Sequence, residues 1–195
     1  MFYINLDNRD DKRTHVEQQL DKMGWKYSRF PAIEKADGRL GCSMSHLKIT
    51  TMAREMDLPY VCVVEDDILF TDPEFYKRQL KKYLSSDPEF DVLMLAGNTK
   101  KIEKISENIA RVYRSHCTIG YIVKRHYYDS LISNFESGIS GLSKTFDSQF
   151  CVDVHWWSLQ EKDNWFMIIP RTVSHLPGYS DVDKREVDHD HVLLD

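Results

Sequence analysis

Short apolar runs, too short for isolated helices, are the feature that most constrains the fold of this 195-residue chain. The run LPYVCVV at residues 58–64 is rich in β-branched residues and predicts a buried strand. FDVLMLAGN at residues 90–98 and WFMIIP at residues 165–170 predict further buried strands. Segments with helical periodicity lie between these runs. The sequence therefore predicts an α/β protein with a mostly parallel central sheet flanked by helices.

Local signals indicate where three helices begin or end. Gly24 follows a helical pattern and is expected to stop the first helix, because glycine tolerates the left-handed conformation needed there. Asp72 and Pro73 match an N-cap and the first helical position. Ser43 is expected to cap the helix of the segment GRLGCSMSHLKITTMAREM, after a turn formed by its glycines.

Composition and charge limit the classes of partner. Hydrophobic residues make up 42% of the chain, which is enough for a sizeable core in one domain. We expect that domain to span residues 1–177, followed by a polar, irregular tail at residues 178–195. The net charge is −5 with acids and bases mixed, which disfavours nucleic acid as a partner. No apolar run approaches the roughly 20 residues of a membrane span, so no membrane segment is expected.

The cysteines and the N-terminal charges bear on the cellular location. The four cysteines are scattered without zinc-type spacing and are expected to be reduced, packed thiols. The charges at residues 7–11 do not fit a secretory leader, and no Asn-x-Ser/Thr acceptor occurs. These features favour a cytoplasmic location, while the alternative of a domain taken from a longer protein stays open.

Three consecutive acids follow the strand in the run VCVV. Glu65, Asp66 and Asp67 lie at the carboxyl end of this strand, the edge where α/β sheets bind ligands. Adjacent carboxylates repel each other, and a divalent cation such as Mg²⁺ or Mn²⁺ removes that repulsion. Strand alternation would place Glu65 and Asp67 on one face and Asp66 on the other, unless a turn begins there. The motif alone leaves open both a metal site and a solvated acidic turn that only ends the strand.

Six segments, in order along almost the whole chain, resemble glycosyltransferase family 25, which includes lipopolysaccharide-modifying and collagen hydroxylysine galactosyltransferases. The segments are YINLDNRDDKR, GRLGCSMSHLKI, VVEDDILF, CTIGYIVKRHYYDSLI, CVDVHWW and SHLPGYSDVD. The last resembles the tail of the collagen-modifying branch but is one residue shorter. The resemblance implies a GT-A fold, a nucleotide-sugar donor that is usually a UDP-hexose, a Mn²⁺ or Mg²⁺ ion, and inversion at the anomeric carbon.

The resemblance also implies which residues hold the metal. Asp67 is the first choice as a direct ligand and Glu65 the second, whereas Asp66 is expected to meet hydroxyls of the ribose or the sugar. A third ligand is expected from the C-terminal part, where His175 matches the family's histidine. An imidazole ligand suits Mn²⁺ better than Mg²⁺. The alternatives for this third ligand are His189 and His191.

Donor-binding residues follow from the first two matching segments. Arg9 and Arg13 come after the first strand, and the resemblance places such arginines near the nucleotide phosphates, which guanidinium groups bind in a bidentate manner. A surface ion pair on the helix remains the alternative for both arginines. The other residues that the resemblance places on the donor side are Asn5, Leu6, Gly41, Ser45 and His46.

A single displacement with inversion needs one general base for the acceptor hydroxyl. Asp153 matches the family's Val-Asp position and is the expected base, with the N-cap of the following helix as its alternative role. The sequence departs from the family at Val154 and His155, where a second acid is usual. His155 therefore stays open as an assisting base or as a packed residue. Trp156 and Trp157 are expected in the core, with contact to a sugar acceptor as the alternative.

The residues and the resemblance predict a metal-dependent, inverting glycosyltransferase that uses a UDP-sugar. Galactose is the first expectation for the transferred hexose and glucose the second. The acceptor is expected to be a hydroxyl group on a hydroxylysine-like side chain of a collagen-like protein, or on a glycan or lipopolysaccharide. The alternative is a catalytically inactive module of the same fold that binds nucleotide sugars or glycans. A nucleotidyltransferase is disfavoured, because the sequence contains no glycine-rich phosphate loop.

Overall fold

The computed structural model describes residues 1–86 and 88–188, and the elements below lie within these ranges. The strands are β1 (Phe2–Asn5), β2 (Ser28–Pro31), β3 (Tyr60–Glu65), β4 (Ile68–Phe70), β5 (Val92–Met94), β6 (Asn98–Lys104), β7 (Ile109–His116), β8 (Gly120–Lys124), β9 (Trp165–Ile168), β10 (Val173–His175), β11 (Gly178–Ser180) and β12 (Arg185–Val187). The α-helices are α1 (Asp10–Met23), α2 (Gly38–Glu55), α3 (Pro73–Ser85), α4 (Tyr128–Thr145), α5 (Val152–His155) and α6 (Trp157–Lys162). His189 and His191, the alternative metal ligands, lie outside the described residues.

One large sheet organises the described part of the chain. Eight strands form it in the order β2-β1-β3-β8-β5-β9-β7-β6. The pairings of β1 with β2 and β3, and of β5 with β9, are parallel, whereas β7 and β8 run antiparallel to their neighbours. Six of these eight strands therefore run in the same direction. The prediction of an α/β fold with a mostly parallel sheet is confirmed.

Hydrophobic side chains pack on both faces of this sheet. One core contains apolar side chains of α2 and α4, and the other contains those of α1 and α3. Along β3, Val61 and Val63 belong to the first core, and Cys62 and Val64 belong to the second. Successive side chains of a strand point to opposite faces, so a strand covered on both faces is apolar throughout its buried part. This double coverage explains the continuous apolar run and places helices on both sides, as predicted.

Two of the predicted helix ends are confirmed. Gly24 ends α1 with a φ of 67°, the left-handed conformation expected of it. The carboxylate of Asp72 accepts a hydrogen bond of 2.9 Å from the backbone N–H of Phe75, and α3 begins at Pro73. Both signals are local, which is why the sequence alone was sufficient to find them.

The predicted start of α2 is wrong. The helix begins at Gly38, and the carboxylate of Asp37 accepts a hydrogen bond of 3.0 Å from the N–H of Arg39. Ser43 lies inside the helix, where its hydroxyl donates to the carbonyl of Arg39 at 2.8 Å. Asp37 offers a capping carboxylate earlier in the chain, so the glycines that suggested a turn belong to the helix instead.

The segment from Gly178 is more ordered than its polar sequence suggested. β11 and β12 pair antiparallel and form a hairpin, so the prediction of an irregular tail is wrong for these strands. Asp181 in the hairpin forms an ion pair with Arg9, just before α1. Backbone pairing and this ion pair hold the hairpin without an apolar pattern that sequence inspection could detect. The boundary at residue 177 stays a prediction.

Two expectations from composition can be compared with the described chain. The thiols of Cys42, Cys62, Cys117 and Cys151 are free, as expected from their scattered positions. Within residues 1–86 and 88–188, no helix combines the length and the apolar character needed to cross a membrane.

Replacing Gly41 by alanine is expected to destabilise the protein, although alanine favours helices. A Cβ atom at position 41 would lie 2.3 Å from the backbone carbonyl oxygen of Ile33, which has no side-chain rotamer through which to move away. Alanine gains about 1 kcal/mol of helix propensity over glycine, whereas such overpacking costs about 1–3 kcal/mol or more. We therefore expect a lower free energy of unfolding for Gly41→Ala in urea denaturation.

The exposed Lys48 on the same helix provides a control for this experiment. Lys48→Ala is expected to change the free energy of unfolding by less than about 0.5 kcal/mol, as surface substitutions usually do. A Gly41→Ala protein as stable as the wild type would show that α2 and Ile33 are not in close contact.

Candidate active site

A cavity of about 740 Å³ opens at the edge of the sheet where β1 and β3 end. Its walls come from these strand ends, the loop after β2, the start of α2, the β7–β8 loop, α5 and the β11–β12 hairpin. The sequence-predicted site residues that line it are Asn5, Leu6, Ser45, His46, Glu65, Asp66, Asp67, Asp153 and His175. The carboxyl ends of parallel strands therefore form the ligand edge, as the fold class leads one to expect.

The three acids after β3 face two different sets of partners. β3 ends at Glu65, and Asp66 and Asp67 lie in the turn that leads to β4. The ammonium of Lys12 lies 3.2 Å from Asp67 Oδ2 and 3.7 Å from Asp66 Oδ1. The strand alternation that would pair Glu65 with Asp67 does not continue through this turn, so Asp66 and Asp67 act as a pair instead.

Glu65 is held by side chains of α2 and of the β7–β8 loop. Its Oε1 accepts hydrogen bonds from Thr118 Oγ1 at 2.5 Å and from His46 Nε2 at 3.1 Å, and Cys42 Sγ approaches to 3.9 Å. The other ring nitrogen of His46 contacts the hydroxyl of Tyr121 at 3.0 Å. Glu65 therefore links β3 to α2 and to the β7–β8 loop.

Asp67 offers an oxygen suited to a cation. Its Oδ2 faces Lys12, whereas its buried Oδ1 has no hydrogen-bond partner in the part of the chain that the structure describes. Burial raises the pKa of Asp67, but the charges of His175 and Lys12 outweigh this effect, and the pKa lies below its usual value. An ionised carboxylate with a buried oxygen lacking a donor is unfavourable by itself, and a bound divalent cation would satisfy it. Asp67 thus fits the expected metal ligand.

Asp66 has the opposite electrostatic character. Its Oδ2 accepts a hydrogen bond of 2.7 Å from the side-chain amide of Asn5. Burial, followed by the neighbouring charge of Asp67, raises the pKa of Asp66 to about 7, although Lys12 and Asn5 act in the other direction. The turn therefore contains one readily ionised acid and one that titrates near neutral pH.

His175 reaches the acidic turn through a separate strand pair. β10 pairs antiparallel with β4, and this register places His175 opposite Ile68. His175 Nε2 lies 3.0 Å from the thiol of Cys117, whose backbone N–H donates to Asp153 Oδ2 at 3.2 Å. Cys117 has a φ of 87°, a conformation that non-glycine residues rarely adopt. This residue therefore connects the expected metal ligand with the expected base.

The predicted metal triad is only partly brought together. Within the described residues, the three potential ligand atoms that lie within 4.8 Å of one another belong to Cys42, His46 and Glu65. Burial, followed by the charge of Glu65, holds the pKa of the Cys42 thiol well above its usual value, so this thiol remains a hydrogen-bond donor. We interpret this trio as a hydrogen-bonded anchor. Asp67 and His175 lie outside it, on the side of the cavity that faces Lys12.

Asp153 lines the cavity from the first turn of α5 and does not cap it, because Cys151 occupies the N-cap position. His116, which the sequence did not single out, places Nδ1 3.7 Å from Asp153 Oδ2. The ring of Trp157 packs edge-on against His116, with a centroid distance of 4.6 Å. Trp157 therefore supports the wall beside the expected base.

His155 and Trp156 both pack against other side chains of the protein. The ring of His155 lies against Phe150, with a centroid distance of 5.6 Å, and burial lowers the pKa of this imidazole. Trp156 is fully buried, and its indole N–H donates to the carbonyl of Ser115 at 3.2 Å. Neither side chain belongs to the lining of the cavity.

Several donor-side residues are occupied by protein partners. Ser45 is fully buried, and its hydroxyl accepts from the N–H of Ile33 and donates to the carbonyl of Gly41. The carbonyl oxygen of the Asn5 side chain accepts a hydrogen bond of 2.9 Å from Arg29 Nε. These groups shape the cavity wall, and their contact with a donor stays a prediction.

The two arginines do not lie where the sequence suggested. Arg9 pairs with Asp11 and with Asp181 of the hairpin, and Arg13 pairs with Glu17 on the surface of α1. The alternative of a helix-surface ion pair describes Arg13, whereas Arg9 is only 16% exposed and is tied to the hairpin. Neither arginine lines the cavity, and their contact with a donor stays a prediction.

Lys12 lines the cavity beside the acidic turn, and the helical pattern contained a signal for its inward direction. It lies four residues before Val16, seven before Gln19 and eight before Leu20, all of which are buried on α1. Side chains at these spacings share one face of a helix, so Lys12 faces inward.

The fold and the geometry define the chain as an α/β protein with an acidic ligand site at the sheet edge. Its family follows from sequence comparison. The profile described as glycosyltransferase family 25 (LPS biosynthesis protein) matches residues 36–146, more than half of the chain. The chain belongs to glycosyltransferase family 25.

Individual relatives agree with this membership. A glycosyltransferase 25 family member from Drosophila melanogaster is 23% identical over 158 residues, covering 63% of this chain and 26% of the relative. A putative glycosyltransferase from Haemophilus influenzae is 32% identical over 95 residues, covering 48% of this chain and 32% of the relative. The chain thus spans about a quarter of the insect relative and a third of the bacterial one.

Solved structures with a similar arrangement include two proteins whose names refer to a sugar phosphate or a nucleotide sugar. The mannose-1-phosphate geranyltransferase of Thermus thermophilus aligns over 86% of this chain and 58% of its own, with a TM-score of 0.45 and 10% identity. An apo UDP-glucose pyrophosphorylase aligns over 86% and 72%, with a TM-score of 0.46 and 10% identity. Likeness at this level says nothing about activity.

The raised pKa of Asp66 predicts a pH-dependent loss of stability. The folded-state pKa of about 7 exceeds that of an unfolded aspartate, which is about 3.9. Between these values the folded protein binds more protons than the unfolded chain, so stability falls as the pH rises from about 4 to about 7. Asp66→Asn cannot ionise, so we expect it to be more stable than the wild type at pH 8 by up to about 4 kcal/mol.

Asp67→Asn is expected to change the stability in the direction opposite to Asp66→Asn. The lowered pKa of Asp67 contributes stability that is present above the unfolded pKa and lost as the pH falls through the folded value. Asp67→Asn is therefore expected to be less stable than the wild type at pH 8. Urea denaturation in EDTA from pH 4 to pH 8 measures both variants. An Asp66→Asn protein that gains no stability at pH 8 would contradict the unfavourable burial of this carboxylate.

Proposed function

We propose that this chain is a metal-dependent, inverting glycosyltransferase that moves a hexose from a UDP-sugar to a hydroxyl acceptor. Family membership supports glycosyltransferase activity. One observation supports the metal-dependent part: the buried Oδ1 of Asp67 has no hydrogen-bond partner among the described residues. Asp67 lines the same cavity as Asp153. Galactose is the first choice for the hexose and glucose the second.

Mn²⁺ or Mg²⁺ would be held by Asp67, with Asp66 beside it and His175 on the neighbouring strand. When bound, the ion supplies Lewis-acid stabilisation of the charge that develops on the leaving UDP. Glu65 is less suited to direct ligation, because Thr118 and His46 already bond to its Oε1. In this arrangement Glu65 fixes the end of β3, so that the acidic turn is presented to the cavity.

Asp153 is proposed as the general base. The N–H of Cys117 and the ring of His116 hold its Oδ2 against the wall of the cavity, and its side chain keeps 31% exposure. The acceptor oxygen bonds to the anomeric carbon as its proton passes to the carboxylate of Asp153. The bond from the anomeric carbon to the phosphate oxygen breaks on the opposite face, its electron pair leaves with UDP, and the configuration inverts.

Two classes of acceptor are proposed, one from a sequence segment and one from the description of the family profile. The segment SHLPGYSDVD resembles the collagen-modifying branch and supports a hydroxylysine-like acceptor. The description of the family profile mentions LPS biosynthesis, which supports a glycan or lipopolysaccharide acceptor. The hairpin that contains part of this segment lines the cavity, so it is proposed to contact the acceptor or the donor sugar.

The proposal predicts UDP release that depends on Mn²⁺. A panel of nucleotide sugars, with and without acceptors, is expected to give UDP rather than pyrophosphate, with UDP-galactose or UDP-glucose as the best donor. Asp153→Asn is expected to reduce transfer about 10²–10⁴-fold, because it removes the proton acceptor, while UDP binding measured by calorimetry stays near that of the wild type.

The exposed Asp129, which pairs with Arg54 on the surface, provides the control. Asp129→Asn is expected to transfer the hexose at the wild-type rate. Binding of UDP-sugars without UDP release in the wild type would instead identify an inactive binding module. Near-normal turnover by Asp153→Asn would remove this residue from the role of base.

Asp67→Asn tests the metal site. Neutralising the carboxylate with the partnerless oxygen is expected to weaken Mn²⁺ binding at least about tenfold in calorimetry and to reduce Mn²⁺-dependent UDP release to a similar or greater degree. The same Asp129→Asn protein serves as the control for both measurements. Unchanged Mn²⁺ affinity in Asp67→Asn would mean that the ion binds elsewhere.

A further inference from the structure

Lys12 is buried in an unusual place for a lysine. Its side chain is 12% exposed and lines the cavity, with its ammonium between Asp66 and Asp67. It is the third residue of α1, close to the N-terminus of that helix. The partial positive charge of a helix N-terminus disfavours a cation there. The helix dipole therefore does not favour an ammonium at this position, whereas the two carboxylates stabilise it there.

The position of Lys12 sets a condition on cation binding. Oδ2 of Asp67 faces Lys12, and Oδ1 of the same carboxylate is the oxygen that has no partner among the described residues. A divalent cation on Oδ1 would therefore lie close to the ammonium, in surroundings where burial strengthens the repulsion between like charges. The metal and the ammonium compete for one carboxylate, and the metal binds more easily if Lys12 moves away.

Lys12 can move without leaving the cavity. Its ammonium is carried on a flexible stem of four methylene groups, and such a point charge suits phosphate oxygens. Arg9 is engaged by Asp181 of the hairpin and Arg13 by Glu17 on α1. The cavity-lining Arg39 is engaged by Asp37. Lys35 and Lys184 also line the cavity, but Lys12 is the lysine whose ammonium contacts the acidic turn, where the diphosphate of a metal-bound donor would lie.

We propose that Lys12 is a built-in counter-ion that a divalent cation displaces from Asp67 and that then binds the diphosphate of the nucleotide sugar. The inference rests on the proposed function for the nature of the donor. It assigns Lys12 two successive partners, first the carboxylates of Asp66 and Asp67 and then phosphate oxygens. The two roles predict effects of opposite sign when the ammonium is removed.

Calorimetry on the full chain tests both roles, with MnCl₂ alone and then with UDP at saturating Mn²⁺. Lys12→Met is expected to bind Mn²⁺ about tenfold or more tightly than the wild type, because the competing charge is gone. The same variant is expected to bind UDP about tenfold or more weakly, because one phosphate ligand is lost. Lys12→Arg keeps the charge and is expected to remain closer to the wild type in both titrations.

Lys22→Met, an exposed position on the same helix, is the matched control and is expected to leave both affinities unchanged. Lys12→Gln provides a second neutral variant, and urea denaturation identifies the variants that fold. Equal or weaker Mn²⁺ binding by the folded neutral variants, or unchanged UDP binding, overturns the proposal. A lysine with only a structural role would weaken both affinities together.

The outcome is separable from that of the proposed function. A wild-type protein that releases no UDP from any donor would contradict the transferase, yet the Mn²⁺ and UDP titrations of the Lys12 variants remain readable. Conversely, an active transferase whose Mn²⁺ affinity is unaffected by Lys12→Met would contradict the counter-ion and leave the transferase in place.

Discussion

The contact of one partly buried ammonium with two partly buried carboxylates is the interaction on which the site depends. Lys12 approaches Asp67 and Asp66 where β3 has just ended, at the rim of a doubly covered sheet. Burial, followed by the neighbouring charge of Asp67, raises the pKa of Asp66. The turn keeps its shape because a lysine from α1, an amide from Asn5 and backbone bonds from β10 converge on it.

The GCSMSH segment at the start of α2 supports this rim mechanically. Gly41 lets the helix approach the backbone of Ile33, and Ser45 bonds to the same residue. Cys42 and His46, which follow Gly41 and Ser45 in the chain and lie one helical turn apart, both contact the carboxylate of Glu65. The sequence suggested that this segment binds the donor. The geometry gives its side chains protein partners, so their first effect is to set the position of the strand that carries the acids.

The sequence predicted those parts of the fold and site that local patterns determine. The apolar residues of β3 belong to two cores, and Asp72 and Gly24 mark helix ends by their own chemistry. Ligands of α/β sheets bind at the carboxyl ends of the strands, and this general rule correctly predicted that the acids after β3 line the cavity. Long-range contacts were not predictable in this way. The hairpin of β11 and β12, for example, depends on pairing between short polar strands. The cap of α2 is a local signal, and the sequence analysis assigned it to Ser43 instead of Asp37.

The sequence pattern did not predict which cation near the start of α1 lines the cavity. Arg9 and Arg13 matched the expected chemistry, but Arg13 is exposed on α1, and Arg9 is the N-cap residue and pairs with Asp181. Residue type identified the helix start as cationic, and helical phase separates Lys12 from Arg13. Phase does not separate Lys12 from Arg9, which is seven residues before Val16, so the long-range ion pair of Arg9 with Asp181 was not predictable from the sequence pattern.

Charge balance supports the proposal that this site holds both a metal and a lysine. The cavity lining already contains the carboxyl groups of Glu65, Asp66, Asp67 and Asp153, and a diphosphate adds further negative charge. Lys12 alone leaves an excess of negative charge at the acidic turn, and burial makes such an excess unfavourable. In the proposed arrangement, a divalent cation on Asp67 would change this balance and free the ammonium of Lys12 for the phosphates. The same lysine would then stabilise the acidic turn before the donor binds and the donor once the metal is in place.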